Sequence, residues 1–234
     1  NGIHIVLDLC WGSATSCAAK VFKALGANVT VINGEPNGEK INVNCGSTDL
    51  GQLRKAVLEK NAAMGFAFDG DADRVLAIDS KARVVDGDHV LYLWGSSLQD
   101  ANALPNNLLV ATVMSNLGFE KAWSNRGGSL KRTPVGDQYV YEAMIKNGSA
   151  LGGEQSGHIL STVNGLCGDG ILTALKVATL CKKQNQSLSD WMDQSFEPYP
   201  QKLINIPISN SQRNKDWQNC EPLQEAVVSA EKSM

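Results

Sequence analysis

Apolar positions along the chain alternate between two spacings, and the changes outline a strand-helix-strand order that occurs twice. Ile3 to Leu9 is a short run of strand formers, after which Cys17, Ala18, Val21, Phe22 and Leu25 recur at helical spacing until Gly26. Asn28 to Ile32 predicts the next strand. A loop rich in Asn, Gly and Pro fills Asn33 to Ser47, and Ser47 or Thr48 is placed to cap a helix carrying Leu50, Leu53, Ala56 and Val57 on one face. Met64 to Phe68 and Val75 to Ile78 are apolar runs on either side of an acidic loop. Val84-Val85 follows a turn at Ser80 to Arg83, and Asp86-Gly87-Asp88 opens a helix, with Asp88 assigned to capping rather than to acid catalysis.

Asp100 to Asn107 is polar and contains Pro105, which predicts a boundary. From Leu108 to Met114 the pattern begins again. A strand, a turn at Ser115-Asn116-Leu117-Gly118, a helix, the pair Gly127-Gly128 and a strand around Leu130 repeat the order seen from Ile3 to Ile32. Thr133 to Asp137 leads into a helix with Tyr139, Val140 and Met144, and Leu151 to Ile159 is a glycine-punctuated loop. Asp169 is placed to cap a helix burying Ile171, Leu172, Leu175 and Ala178. A last helical stretch around Leu188 to Met192 ends near Pro198-Tyr199-Pro200, and Gln201 to Ile208 is expected as a strand entering a further unit.

Length and composition narrow the classes. At 234 residues, 43% of them hydrophobic, the chain can build two ordinary domains. A net charge of −3 with both signs interspersed leaves no basic stripe for nucleic acid and no polybasic patch for a membrane, so small-molecule partners are expected. Six cysteines lie far apart without a C-x-x-C pair, the usage of reduced, mostly buried thiols in a cytoplasmic protein. No apolar run approaches a membrane span, and the first residues lack the features of a signal peptide. A chain that starts at Asn1 is expected to be a piece of a longer one.

The chemistry concentrates in two stretches. Asp69-Gly70-Asp71-Ala72-Asp73-Arg74 sets three carboxylates at alternate positions, where they repel one another unless a cation sits between them. Short, hard oxygen ligands suit Mg²⁺, and Arg74 supplies the charge a phosphate would also want. A calcium EF-hand loop is excluded, because it needs Gly and Glu where Arg74 and Ser80 stand. An aspartyl-nucleophile phosphatase using Asp69 and Asp71 stays open, as does a bare acidic turn, although the apolar flanks aim the loop at one place. In Leu151 to Ile159, Glu154 and Ser156 lie two apart on a stretch read as extended, so both would face one side and could hold neighbouring sugar hydroxyls, with His158 following. A glycine-rich turn with an exposed Glu is the competing reading. His158 alone is more often structural, and His4 and His89 are assigned structural roles.

These two stretches resemble the metal loop and the sugar-binding loop of the α-D-phosphohexomutases. Asn42 to Thr48, Thr112 to Gly118, Arg132 to Asp137 and Gly168 to Leu172 extend the similarity from about Ile3 to the Pro-Tyr-Pro region, and Gln155 favours the members that act on glucosamine phosphate over phosphomannomutases, which tend to carry Met there. The resemblance implies an α/β fold of two consecutive three-layer domains with mixed sheets: a metal-loop domain in 1–103, a sugar-binding domain in 104–200, and a remnant of a further domain in 201–234. It implies a phosphosugar mutase that moves a phosphoryl group between the 6- and 1-positions through a bisphosphate. Asp69, Asp71 and Asp73 would hold Mg²⁺ and Arg74 would stabilise the transferring group. Glu154, Ser156, His158 and Gly136 would line the sugar-phosphate site, with His158 also a candidate for proton transfer. The alternatives are another phosphohexomutase, a non-catalytic sugar-phosphate binding module and a Mg-dependent phosphatase. The family's serine loop and its C-terminal Arg-x-Ser-Gly-Thr loop find no match here, so the chain is expected to be inactive alone. Cys10-Trp11-Gly12-Ser13 departs from the smaller turn usual in relatives.

Overall fold

A computed structural model describes residues 2–163, 165, 167–204, 207 and 219–232. The first repeat runs β1 (His4–Asp8), α1 (Ala18–Ala24), β2 (Asn28–Ile32), α2 (Gly51–Glu59), β3 (Met64–Phe68), β4 (Val75–Asp79), β5 (Val84–Val85) and α3 (Gly87–Asp100). Its sheet has the order β2-β1-β3-β4-β5, with β1 parallel to both β2 and β3, and with β4 antiparallel to β3 and β5. The second repeat runs β6 (Leu108–Thr112), α4 (Leu117–Asn125), β7 (Ser129–Thr133), α5 (Asp137–Asn147), β8 (Leu151–Gly153), β9 (Ile159–Ser161), α6 (Gly170–Lys183) and α7 (Leu188–Gln194). Its sheet, β7-β6-β8-β9, reproduces the first in order and direction: parallel on both sides of β6, then an antiparallel hairpin. The faint repetition in the hydrophobic pattern is a true duplication of topology.

Alternation along the central strands explains the layers. In β1, Ile5 and Leu7 join Phe22, Phe66 and Phe68 on one face, while Val6 turns to the other, against Leu53 and Val57 of α2. In β6, Leu109 and Ala111 face the larger core and Val110 faces Val140 and Met144 of α5. Each sheet is therefore a middle layer between helices. The larger core is continuous across both repeats, from Ile5 and Phe66 through Val90 and Trp94 of α3 and Val177 of α6 to Phe119 and Trp123 of α4. Residues 1–199 accordingly pack as one compact unit. A charged strut reinforces it: Arg83 donates from Nε to the fully buried Asp79 (2.7 Å) and from Nη2 to the Ser189 carbonyl of α7, and its Nη1 pairs with Asp193.

Several local expectations change. Ser47 and Thr48 lie in a 3₁₀ turn (Gly46–Thr48), and α2 begins at Gly51, whose N–H is taken by Asp49 Oδ1 at 2.9 Å. The cap of α3 is Asp86, which accepts the His89 N–H; Asp88, one residue inside the helix, is fully buried and accepts the Asn116 N–H at 2.7 Å instead. Asp88 fails as a cap because the N-cap carboxylate must reach forward to a free N–H of the first turn, and Asp86 already does so. Of the six cysteines, Cys10, Cys45 and Cys181 are buried, Cys17 and Cys167 are exposed and Cys220 is intermediate, so the expectation of mostly buried thiols holds for half of them.

Pro200–Met234 form a separate unit in which α8 (Glu221–Lys232) is helical. Residues 201–204, expected to begin a strand, have no regular structure; 205, 206 and 208 lie outside the described residues. Among the described residues no helix is long and apolar enough to cross a membrane.

Candidate functional site

The duplication brings together two loops that are equivalent by topology. The acidic loop joins β3 to β4, and residues 154–158 join β8 to β9. Arg74 and His158 pair as an antiparallel bridge, and the Val75 N–H donates to the Gly157 carbonyl at 3.2 Å. The helices that follow the two hairpins lock the seam reciprocally. Gly87, first residue of α3, donates its N–H to Gln155 O in the second loop (3.0 Å), and Gly170, first residue of α6, donates to Ala72 O in the first (2.9 Å). Backbone meets backbone so closely that a Cβ on Gly157, already at φ +94°, would lie 2.2 Å from Val75 O, and one on Gly87 1.9 Å from Glu154 O.

Within the acidic loop, Asp69, Asp71 and Asp73 each turn an oxygen inward so that all three lie within 4.8 Å of one another. Asp69 is buried, Asp73 partly so, and Asp71 is exposed. Burial pushes the Asp69 carboxyl up, and the charge of Asp73 adds to that, against the hydrogen bond from the Arg74 N–H. A partly desolvated, oxygen-only cluster carrying up to three negative charges fits a hard divalent cation. Arg74 supplies the other positive charge: its Nε lies 2.9 Å from Asp69 Oδ2 and 3.4 Å from Asp73 Oδ1.

The second loop is tighter than expected. Gly157 N–H bonds back to Glu154 O (2.9 Å), making a four-residue turn with Gln155 and Ser156 at its centre rather than an extended run, so the strand-like alternation invoked for Glu154 and Ser156 does not apply. Ser156 is exposed at the tip. Glu154 is held from the side, its Oε1 accepting the N–H of Gly136 (2.9 Å), whose φ of +132° suits glycine. His158 lies beneath, buried, with Nδ1 3.2 Å from Asp73 Oδ2 and Nε2 3.9 Å from Asp137 Oδ2. A cavity of about 370 Å³ opens here, lined by Asp73, His158 and Gly168 and by Asp137, Gln138 and Tyr141 of α5.

Sequence reasoning missed Asp137, although it stands next to Gly136 in a stretch already singled out. It also missed Asp8, a fully buried carboxylate at the end of β1 that accepts the N–H groups of Cys10 (3.0 Å) and Gly46 (2.9 Å) and the Asn33 amide (3.0 Å). Asp8 thereby ties the loop before α2 to the end of β1, and the β1–α1 segment meets the acidic loop through Ser13 N–H to Gly70 O at 2.9 Å. An Asp at a strand end carries no signal in one dimension for partners 25 and 38 residues away. His4 and His89 lie in β1 and α3: His4 Nε2 meets Thr30 Oγ1 at 2.9 Å across the β1–β2 pair, and His89 stacks on Phe196 with ring centroids 4.4 Å apart.

Fold and site define a class: a duplicated three-layer α/β scaffold whose paired hairpin loops set a carboxylate cluster suited to a cation beside a glycine-rich polar loop. Two family models match, phosphoglucomutase/phosphomannomutase α/β/α domain II over residues 1–82 and α/β/α domain III over residues 86–199. The chain belongs to the phosphoglucomutase/phosphomannomutase family and carries its domains II and III. Over all of its length it is 67% identical to a phosphoglucosamine mutase of Parasynechococcus marenigrum and 66% identical to one of Prochlorococcus marinus, of which it covers 51% and 50%. The chain thus spans about half the length of the curated relatives it matches. Among solved structures, a variant of Aspergillus fumigatus N-acetylphosphoglucosamine mutase in complex with glucose 1,6-bisphosphate shares the fold with a TM-score of 0.79 at 17% identity, over 97% of this chain and 52% of that one. The enzyme of the same fungus in complex with GlcNAc-6P and magnesium gives 0.70 at 19% identity, over 89% and 48%. A phosphoglucomutase/phosphomannomutase family protein of Burkholderia thailandensis gives 0.75 at 22% identity, over 82% and 43%.

Proposed function

We propose that the chain is the metal- and sugar-binding portion of an enzyme that interconverts glucosamine 6-phosphate and glucosamine 1-phosphate, a sugar-phosphate mutase acting through a bisphosphate. The observation that carries this reading is the Arg74–His158 bridge, which clamps the acidic loop against the turn holding Glu154 and Ser156. Phosphoryl transfer demands charge neutralisation and alignment more than covalent chemistry, and the bridge supplies both groups from one rigid seam. The high identity to phosphoglucosamine mutases supports the choice of sugar. The reading keeps the division into 1–103, 104–200 and 201–234.

Asp69, Asp71 and Asp73 would hold Mg²⁺, which when bound neutralises charge developing on the transferred phosphoryl group. Arg74, its Nε anchored on Asp69 and Asp73, directs its remaining guanidinium donors to phosphate oxygens. Glu154, with Oε1 held by the Gly136 N–H, offers Oε2 to a sugar hydroxyl; for Ser156, at the tip of the turn, a contact with a neighbouring hydroxyl rests on the family resemblance. His158 Nδ1, set against Asp73, fixes the ring, leaving Nε2 to hold or pass a hydroxyl proton. The serine that donates the phosphoryl group belongs to the first domain that the family resemblance implies, so residues 1–234 alone would not turn over.

The test uses the complete protein with Mg²⁺, glucosamine 6-phosphate and a catalytic amount of its 1,6-bisphosphate, followed by phosphorus NMR. Growth of the 1-phosphate signal is expected. Release of inorganic phosphate alone would support the phosphatase reading and refute this one.

A further inference from the structure

The cavity in front of His158 is lined by a carboxylate that the proposed metal site does not use. Its described lining contains Asp73, already assigned to the cation, and Asp137, and neither lysine nor arginine. His158 is buried, and its Nε2 has no hydrogen-bond partner among the described residues although it faces this space. Asp137 Oδ2 stands 3.9 Å from that nitrogen, on a side chain that is 62% exposed and so open to a ligand. One peptide unit earlier, the Gly136 N–H grips Glu154 Oε1. Asp137 therefore opens α5 directly after the residue whose N–H positions the group assigned to a sugar hydroxyl.

The Asp137 carboxylate, left over by the cation cluster, calls for a positively charged group. A second metal ion is the wrong one, because Asp73 lies at Nδ1 and Asp137 at Nε2 of the same imidazole, with the ring between them. The carboxylate of Asp137 is an acceptor without protons of its own, matched by a donor that carries only protons and positive charge. An ammonium on a sugar carbon beside a hydroxyl is such a donor, and a hydroxyl at that position would forgo the ionic part.

We propose that Asp137 is the specificity-determining residue for a 2-amino sugar phosphate, its carboxylate receiving the sugar ammonium in the cavity beside His158. This rests on the mutase reading above and adds which group distinguishes the amino sugar from its hydroxy counterpart.

The experiment compares kcat/KM for glucosamine 6-phosphate and glucose 6-phosphate in the complete enzyme, for the unmodified protein, Asp137→Asn and Glu154→Gln. The ratio of amino to hydroxy sugar is expected to fall about tenfold or more in Asp137→Asn, because a charge-assisted contact is lost for one substrate only, and mainly through KM. Glu154→Gln is expected to lower both values together and leave the ratio within about twofold. An unchanged ratio in folded Asp137→Asn overturns the proposal. Asp137→Ser, which also suits the first helical turn, gives the same reading if the Asn variant does not fold. Should the unmodified enzyme convert neither sugar, the mutase reading itself falls and takes this proposal with it, a result distinct from an unchanged ratio.

Discussion

His158 Nδ1 lies 3.2 Å from Asp73 Oδ2, while the backbone of His158 pairs with that of Arg74 in an antiparallel bridge. The two residues of the acidic loop nearest β4 thus meet the second hairpin through side chain and main chain alike. Distance between the two loops is set by backbone contact rather than by flexible side chains, which is the rigidity a charge-stabilising site needs.

That seam makes Gly157 intolerant of a side chain. Its φ of +94° disfavours any L-residue, and a Cβ would sit 2.2 Å from Val75 O. Gly157→Ala is expected to destabilise residues 2–199 by roughly 3 kcal/mol or more, combining left-handed strain with a backbone shift. Calorimetry should show the melting temperature lower by about 6–12 °C. A shift of under about 1 °C would mean that the seam yields freely.

Asp71 is the exposed member of the carboxylate cluster, so its removal separates metal affinity from stability. In the 234-residue chain, Asp71→Asn is expected to weaken Mg²⁺ binding about tenfold by isothermal titration, with little change in melting temperature, because losing a like charge offsets losing a solvated contact. Equal affinity in both proteins would remove Asp71 from the ligand set.

Asp88 gives a pH signature. Burial, with the charge of Asp86 next, raises its carboxyl from an ordinary 3.8 to about 6, against the hydrogen bond from Asn116. Between those values the folded state binds more protons than the unfolded state, so this residue's contribution to stability falls as pH rises and levels off above about 6. Its size is at most about 3 kcal/mol. Subtracting the urea stability of Asp88→Asn from that of the unmodified chain should give a difference that declines from about pH 4 to about pH 6.5. A difference that is flat or rises over that window would refute the assignment.

Asp79 is fully buried and accepts from Lys81 N–H (2.9 Å), Arg83 N–H (2.8 Å) and Arg83 Nε (2.7 Å). Asp79→Ala leaves the Lys81 and Arg83 N–H groups without their acceptor while Arg83 keeps Asp193 and the Ser189 carbonyl, and a loss on the order of 2–3 kcal/mol is expected. Urea denaturation would show it as a lower midpoint with an unchanged slope. A loss below about 1 kcal/mol would mean water replaces the carboxylate.

How much of this was legible in one dimension depends on the range of the interaction. The strands around Ile5, Phe66 and Leu109, the helices of Phe22 and Val140 and the duplication itself follow from spacings of two and three to four residues, which act between neighbours in sequence. The convergence of Asp69, Asp71 and Asp73 was likewise legible, because carboxylates two residues apart in one short loop have few ways to avoid each other. The order β2-β1-β3 was not, since parallel pairing joins segments far apart whose partners no local pattern names. The use of Asp88 as acceptor for the Asn116 N–H was not legible either, because that partner arrives 28 residues later. The facing of Arg74 with His158, and with it the place of Asp137 beside that ring, was decided only when two sheets closed on one core through α3 and α6. Side-chain type and local spacing determine what each loop can do; which loops meet is a property of the packed chain, because burial of Trp94, Trp123 and Phe66 in one continuous core sets the separation of everything built on it.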